Sequence, residues 1–199
     1  MKKLCVCVLC FFGSIVVIHA QPKAAILPEP ASWQLEQFPL PPGFAPALPY
    51  KGLEELRFSP DMFNKGATNY FTYVFAARLD NTVAISASDI KNYLLIYFKG
   101  LCSKTAADRK LAPVDTAAIS VAIVPKKTTA GQPVYSITLH VFGVFADGAP
   151  VSLNMEAKVF ADAPHQRVYL LFIVSPQPTT APIWQELYKV QETFVLPVG

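Results

Sequence analysis

The residues best suited to chemistry lie between positions 133 and 175, where one histidine and two hydroxyl side chains alternate with apolar residues. Ser136, Thr138 and His140 occupy positions i, i+2 and i+4, so on a β-strand they share one face. A histidine there could act as the base for a hydroxyl group or a bound water. Side chains two residues apart on a strand are about 6–7 Å apart, too far for a direct hydrogen bond between nucleophile and base. The spacing therefore favours a polar strand face over a catalytic pair.

The other reactive side chains form no recognisable catalytic or metal-binding motif. Cys102 continues an apolar helical stripe near the carboxyl end of a predicted helix, where the dipole disfavours a thiolate, so we predict a buried structural role. His165 falls in an Ala-Pro-His-Gln turn and is expected in an exposed loop. Glu54 and Glu55 are adjacent and would diverge on a strand. No nucleophile elbow, calcium loop or phosphate-binding glycine loop occurs, so the sequence predicts no metal and no cofactor.

Period-two alternation predicts the strands that hold these residues. Residues 134–146 and 151–161 both place apolar side chains at odd positions and polar ones mostly at even positions. Because residues paired across a hairpin share a face, odd positions must pair with odd positions. The connection through Asp147-Gly148 is therefore expected to be a three- or five-residue loop, with Gly148 at a positive φ.

The following run, residues 168–174, is apolar at both parities, which predicts a strand covered on both faces. On the second face of the sheet it adds to an apolar set of Phe142, Val144, Phe160, Tyr169, Leu171 and Ile173. The C-terminal helix, a proline-rich arm, a partner subunit or an apolar ligand could cover that set. The first two are preferred, since the chain already contains them. The candidate binding residues are His140, Ser136, Thr138, Tyr169 and Phe142.

The remaining runs complete a fold of the α+β class. Residues 70–79 and 117–124 alternate as strands, and residues 51–66 suggest a short strand or turn followed by a helical turn. Residues 86–104 carry an apolar stripe at helical spacing, with Ser86 or Ser88 as its cap. A last helix is expected after Thr180, its cap, with Pro182 near its start. The order strand, helix, four-strand meander, helix predicts one domain (residues 51–199) with a mostly antiparallel five-stranded sheet, helices packed on it and the first strand at an edge.

Residues 21–50 contain eight prolines and are predicted to form an extended arm, because proline is excluded from helix and sheet interiors. The arm also carries aromatic residues, which disordered linkers usually lack. We interpret it as an N-terminal strap docked on the domain, since buried apolar area stabilises by roughly 25 cal/mol per Å². A polyproline ligand for a partner groove, with residues 46–49 as its Pro-x-x-Pro motif, is the alternative.

The chain begins with Met-Lys-Lys, continues with an apolar run over residues 4–18 and reaches a small residue at Ala20. This pattern predicts a secretory signal peptide over residues 1–20, with retention as a membrane anchor as the alternative. Cleavage leaves 15 basic against 14 acidic residues and Cys102 as the single cysteine. Neither nucleic-acid binding nor an intrachain disulfide is then expected. The lack of disulfides and of Asn-x-Ser/Thr acceptor sites favours a bacterial secreted or periplasmic protein.

These features favour a secreted or periplasmic, non-enzymatic binding or interaction protein. Its target would be an apolar ligand between sheet and helix, or a protein partner at the arm. Two alternatives stay open. One is a hydrolase-like enzyme that uses His140 with Ser136, Thr138 or a distant carboxylate, and the other is a structural assembly component without a small ligand. No stable membrane span is expected once the signal peptide is removed.

Overall fold

A seven-stranded antiparallel sheet is the centre of the computed structural model, which describes residues 25–126 and 131–197. The predicted signal peptide lies outside these residues. The elements are β1 (Gln34–Leu40), β2 (Lys51–Phe58), β3 (Tyr73–Asp80), α1 (Ala87–Asp108), β4 (Ser120–Lys126), β5 (Val134–Phe142), β6 (Pro150–Asp162), β7 (Arg167–Ser175) and α2 (Ile183–Thr193). Helix α1 packs on one face of the sheet and α2 on the other.

The expected five-stranded sheet is wrong, although the chain does form a single α+β domain. The strand order is β1-β2-β3-β7-β6-β5-β4, so β1 and β2 join the sheet in addition to the five expected strands. A short strand or turn was expected where β2 forms, but not as part of the sheet, and β1 was not expected. Strand β1 comes from the proline-rich arm, and it tolerates Pro39 because it lies at the edge of the sheet. Strand β3, expected at an edge, instead pairs with β2 and β7 inside the sheet.

The predicted first helix forms, and its start is set by a capping box. The Ser86 hydroxyl accepts a hydrogen bond from the Asp89 amide, and the Asp89 carboxylate accepts one from the Ser86 amide. The helix continues to Asp108 and buries its apolar stripe against the sheet, with Ile90, Leu94 and Phe98 fully enclosed. Within the described residues, no helix is long and apolar enough to cross a membrane.

The second face of the sheet is covered from within the chain, as preferred from the sequence. Phe160 of β6 and Tyr169, Leu171 and Ile173 of β7 are buried in a second core, separate from the one under α1. Phe142 and Val144, which were expected on the same face, belong instead to the core under α1, because the chain turns back after β5. The cover consists of α2 and of the first part of the arm, through Ile26, Leu27, Trp33, Trp184, Leu187 and Val190. The expected cap at Thr180 is wrong, because Pro182 precedes the first residue of α2 and no side chain caps it.

The β5–β6 hairpin keeps the predicted parity but has a longer loop. Val141 pairs with Val151, so odd positions do oppose odd positions. The loop runs over seven residues, 143–149, and the prediction of three or five is wrong. It is longer because the chain folds back to bury Val144, with the Gly148 amide donating to the Gly143 carbonyl at 3.0 Å. Gly148 has the expected positive φ, 76°.

The arm is fixed to the sheet at two places. At its start, the Arg57 guanidinium donates to the carbonyl oxygens of Leu27 (3.0 Å), Pro28 and Trp33 (both 3.3 Å). After β1, the arm crosses α1 so closely that a Cβ on Gly100 would lie 2.0 Å from the Phe44 carbonyl oxygen. Gly100 is therefore where the helix admits the backbone of the arm. These contacts place Phe38 and Phe44 beside α1.

Candidate functional site

The five candidate binding residues do not form one site. His140 and Phe142 line a shallow depression of about 190 Å³ with Pro150 and Ser152, at the end of β5. Ser136 and Thr138 lie on the same strand face but outside that depression. Tyr169 is 2% exposed and lies beneath α2 and the arm. The structure therefore separates Tyr169 from the four candidates on β5, of which His140 and Phe142 lie together.

His140 is exposed, as its place on the polar strand face suggested. Its Nδ1 is 2.7 Å from the Oγ of Ser152, the residue directly opposite on β6. No carboxylate lines the depression among the described residues, so no third group orients the imidazole. The pair resembles a cross-strand contact on a solvated face more than the base and nucleophile of a hydrolase, which need an oriented imidazole. The hydrolase alternative stays a prediction without a supporting contact.

Cys102 occupies the buried position that the sequence predicted. It is 1% exposed in the core under α1, and its Sγ lies 3.8 Å from the Phe142 carbonyl oxygen. Burial raises the pKa of the thiol, and the hydrogen bond to Phe142 only partly offsets that. A thiol held in this way is a poor nucleophile. His165, also as expected, is an exposed residue of the β6–β7 connection and contacts Asp162 at 2.8 Å.

A second cavity lies between α1, the strands β1, β2 and β3, and the loops at residues 59–72 and 143–149. We call it the aromatic cleft. Its volume is about 240 Å³, and eight of its thirteen lining residues are aromatic. It is lined by Glu36, Phe38, Phe44, Leu56, Phe58, Met62, Phe63, Phe71, Tyr73, Tyr97, Leu101, Thr105 and Phe145. An apolar concave site with few polar groups is typical of small-molecule binding sites.

The aromatic rings contact one another around the cleft. Five of them form a closed circuit in which neighbouring centroids are 5.4–6.2 Å apart: Phe58, Phe63, Phe145, Phe71 and Tyr73. On the arm side, Phe44 stands at 87° to Tyr97 and at 79° to Phe38. These separations are those of favourable edge and tilted aromatic contacts. Within the circuit only Phe71 and Tyr73 are stacked, at 24°, and the other neighbouring rings stand at 50–89° to each other, so the wall presents ring faces in several directions.

A buried carboxyl group lies behind this wall. Glu54 of β2 is 0% exposed, and it accepts hydrogen bonds of 2.7 Å from the hydroxyls of Tyr93 and Tyr97 on α1. Burial raises the pKa of Glu54 to about 7, although the two tyrosine hydrogen bonds lower it. The charge of nearby Glu36 raises it further. Tyr97 thus joins the wall of the aromatic cleft to a titrating group.

Two other buried glutamates lie on the opposite face and have direct partners. Glu55 accepts from the Leu27 amide at 2.8 Å and from the Gln37 side chain. Glu156 pairs with Lys126 and accepts from the Tyr188 hydroxyl at 3.0 Å. Burial, together with the Glu156 charge, raises the pKa of Tyr188 to about 12. Glu55 thus connects the arm to the sheet, and Glu156 connects α2 to the sheet. We therefore assign both groups structural roles.

The aromatic cleft and Glu54 were missed by the reasoning from sequence. The adjacent Glu54 and Glu55 were expected to diverge, and they do point to opposite faces, but nothing indicated that both are buried. A usable signal was the i, i+4 spacing of Tyr93 and Tyr97 on the apolar stripe, since buried tyrosine hydroxyls need partners. The sequence of the arm contains no pattern that predicts contact of Phe38 and Phe44 with α1.

No group of His, Cys, Asp and Glu side chains within residues 25–126 and 131–197 is arranged to hold a metal ion. The chain was also compared with protein-family models, curated proteins and solved structures, and none of them matches it. The interpretation of the aromatic cleft therefore depends on its own chemistry.

Proposed function

We propose that the protein is a non-enzymatic binding protein that acts outside the cytoplasm and takes an apolar ligand in the aromatic cleft. The single observation that carries this is the cleft itself, a cavity of about 240 Å³ with eight aromatic side chains in its lining. Secretion or export to the periplasm is inferred from the Met-Lys-Lys start and the apolar run over residues 4–18.

The position of the cleft supports a ligand site rather than a packing gap. Phe63 at its rim is 45% exposed, whereas Tyr73, Phe71 and Tyr97 behind it are buried. The cleft therefore leads from solvent to a buried floor made by Phe71, by Tyr73 of β3 and by Tyr97 of α1. An apolar group that enters it leaves water and gains contact with several rings at once, which is the main source of affinity in such sites.

The proposal is tested by titrating the protein with the neutral fluorescent probe N-phenyl-1-naphthylamine. We expect saturable binding to wild type, weakened about tenfold by Phe63→Ala, because that variant removes one ring from the circuit. Leu35→Ala is the matched control: Leu35 is equally exposed, at 45%, but does not line the cleft. Its affinity for the probe should equal that of wild type.

Absence of saturable binding to wild type, or equal losses in the two variants, would contradict the proposal. Native mass spectrometry provides a second readout. If the wild-type protein is a dimer that Phe63→Ala dissociates, the cleft is occupied by a second copy of the chain and the ligand proposal fails.

A further inference from the structure

The aromatic cleft has a charge character as well as an apolar one. Among the described residues that line it, Glu36 is the one acidic residue, and Lys, Arg and His do not occur. Glu36 is exposed and forms no ion pair within the described part of the chain. Its carboxylate is therefore available to a ligand at the mouth of the cleft.

A second carboxyl group stands close behind Glu36. Strand pairing places Glu36 opposite Leu56 and Phe38 opposite Glu54, so Glu36 and Glu54 are diagonal neighbours on the α1 face. Diagonal neighbours in a sheet lie about 7–8 Å apart, and like charges at that distance repel. A cation bound beside Glu36 would relieve this repulsion, whereas an anion would increase it.

The aromatic wall has the same preference. The faces of aromatic rings carry negative charge density and attract cations within about 6 Å of the ring centroid. Tyr97 adds to this, because its hydroxyl donates to Glu54 Oε1 at 2.7 Å and so couples the ring to the carboxyl group. Ring faces, Glu36 and Glu54 thus all favour positive charge within a site whose walls are otherwise apolar.

We propose that the ligand of the aromatic cleft is a small molecule with an ammonium group joined to an apolar body, held by the ring faces and by the Glu36 carboxylate. This inference rests on the proposed function, since it names the chemical class of ligand for the same cleft. The apolar body packs against the aromatic rings, and the ammonium group lies toward Glu36 at the mouth.

Three probes of similar size and different charge test the inference by displacement of N-phenyl-1-naphthylamine at pH 7. They are 2-phenylethylammonium, neutral 2-phenylethanol and anionic phenylacetate. We expect the ammonium to bind about tenfold more tightly than the alcohol, with phenylacetate weakest. Glu36→Gln should reduce the preference for ammonium over alcohol to about threefold. Glu186→Gln, an exposed change on α2 across the sheet, should leave it at the wild-type value.

The outcomes separate this inference from the proposed function. If the alcohol displaces the fluorescent probe as well as the ammonium does, or if Glu36→Gln keeps the full preference, the inference is overturned while the apolar site stands. The same holds if phenylacetate is the best competitor, or if the fluorescent probe binds and none of the three displaces it. If the fluorescent probe does not bind at all, the proposed function fails and the inference with it.

Discussion

Among single residues, Glu54 has the most unusual environment in the described chain. A carboxyl group that is fully buried under two tyrosines keeps its proton to higher pH than in water, because the apolar surroundings disfavour the charged form. Its two hydrogen bonds favour the ionised form and so offset part of the effect of burial on the pKa. The folded protein therefore binds a proton at Glu54 that the unfolded chain releases near pH 4.5.

This environment predicts a specific pH dependence of stability. Since the pKa rises from 4.5 in the unfolded chain to about 7 in the folded protein, Glu54 lowers the free energy of unfolding as pH increases through that interval. This loss of stability is expected to reach roughly 3 kcal/mol. It is absent below pH 4.5 and complete above pH 7. Glu54→Gln should remove it, as seen in urea unfolding of wild type and variant between pH 4 and 8.

The control for this experiment is Glu186→Gln, which changes an exposed glutamate and should follow the wild-type pH profile. A constant difference in stability between wild type and Glu54→Gln across pH 4–8 would contradict the prediction. It would mean that Glu54 ionises in the folded protein as it does in water.

At the scale of the elements, the contact between the arm and α1 explains why a helix keeps a glycine in its middle. Gly100 costs α1 about 1 kcal/mol relative to alanine when helix propensity alone is counted. The structure explains why glycine occupies this position: a Cβ here would lie 2.0 Å from the Phe44 carbonyl oxygen. The glycine lets the arm lie against the helix and brings Phe44 into the cleft wall.

Gly100→Ala is therefore expected to destabilise the protein by about 1–3 kcal/mol rather than stabilise it, because the arm must move away from α1. The same shift displaces Phe44 and should weaken binding of N-phenyl-1-naphthylamine. Asn92→Ala, at an exposed position of α1, should change stability by less than about 0.5 kcal/mol and leave binding intact. Urea unfolding and probe titration measure both effects, and a Gly100→Ala protein more stable than wild type would refute the explanation.

At the scale of the whole molecule, one sheet is shared by two cores. Strand β7 contributes Leu170 and Phe172 to the core under α1, and Leu171 and Ile173 to the core under α2 and the arm. Because the same strand is buried on both faces, the two layers cannot separate without exposing it. We expect the domain to unfold in one cooperative step.

Trp184→Ala tests this coupling. Trp184 is 1% exposed, and its Nε1 donates to the Gln177 carbonyl oxygen at 3.0 Å. Its removal should cost roughly 3–5 kcal/mol, in a single transition seen equally by circular dichroism and by the fluorescence of Trp33. Val195→Ala, at a 74% exposed position, should change stability by less than about 0.5 kcal/mol. Two separate transitions, or an unchanged midpoint in Trp184→Ala, would show that the layers are independent.

The periodicity of apolar residues in the sequence determined most of the central strands and the first helix. Period-two alternation predicted β5 and β6, a run that is apolar at both parities predicted β7, and the apolar stripe with Ser86 as a possible cap predicted α1. Parity alone determined how β5 opposes β6, because a one-residue slip would have moved Val141 to the polar face. The apolar character of β7 at both parities required two covers, and both were found within the chain.

Tertiary structure decided what depends on contacts between segments far apart in the chain. Prolines indicated that the arm is extended, but only its pairing with β2 made part of it the edge strand β1 and the sheet seven-stranded. The aromatic cleft likewise needs Phe38 and Phe44 from the arm, Tyr97 from α1 and Phe145 from a hairpin loop. The burial of Glu54 depends on the same assembly, since Tyr93 and Tyr97 reach it from a helix about forty positions away. Residue periodicity reports which face of an element is apolar, whereas a cavity forms only where several such faces meet and leave a gap.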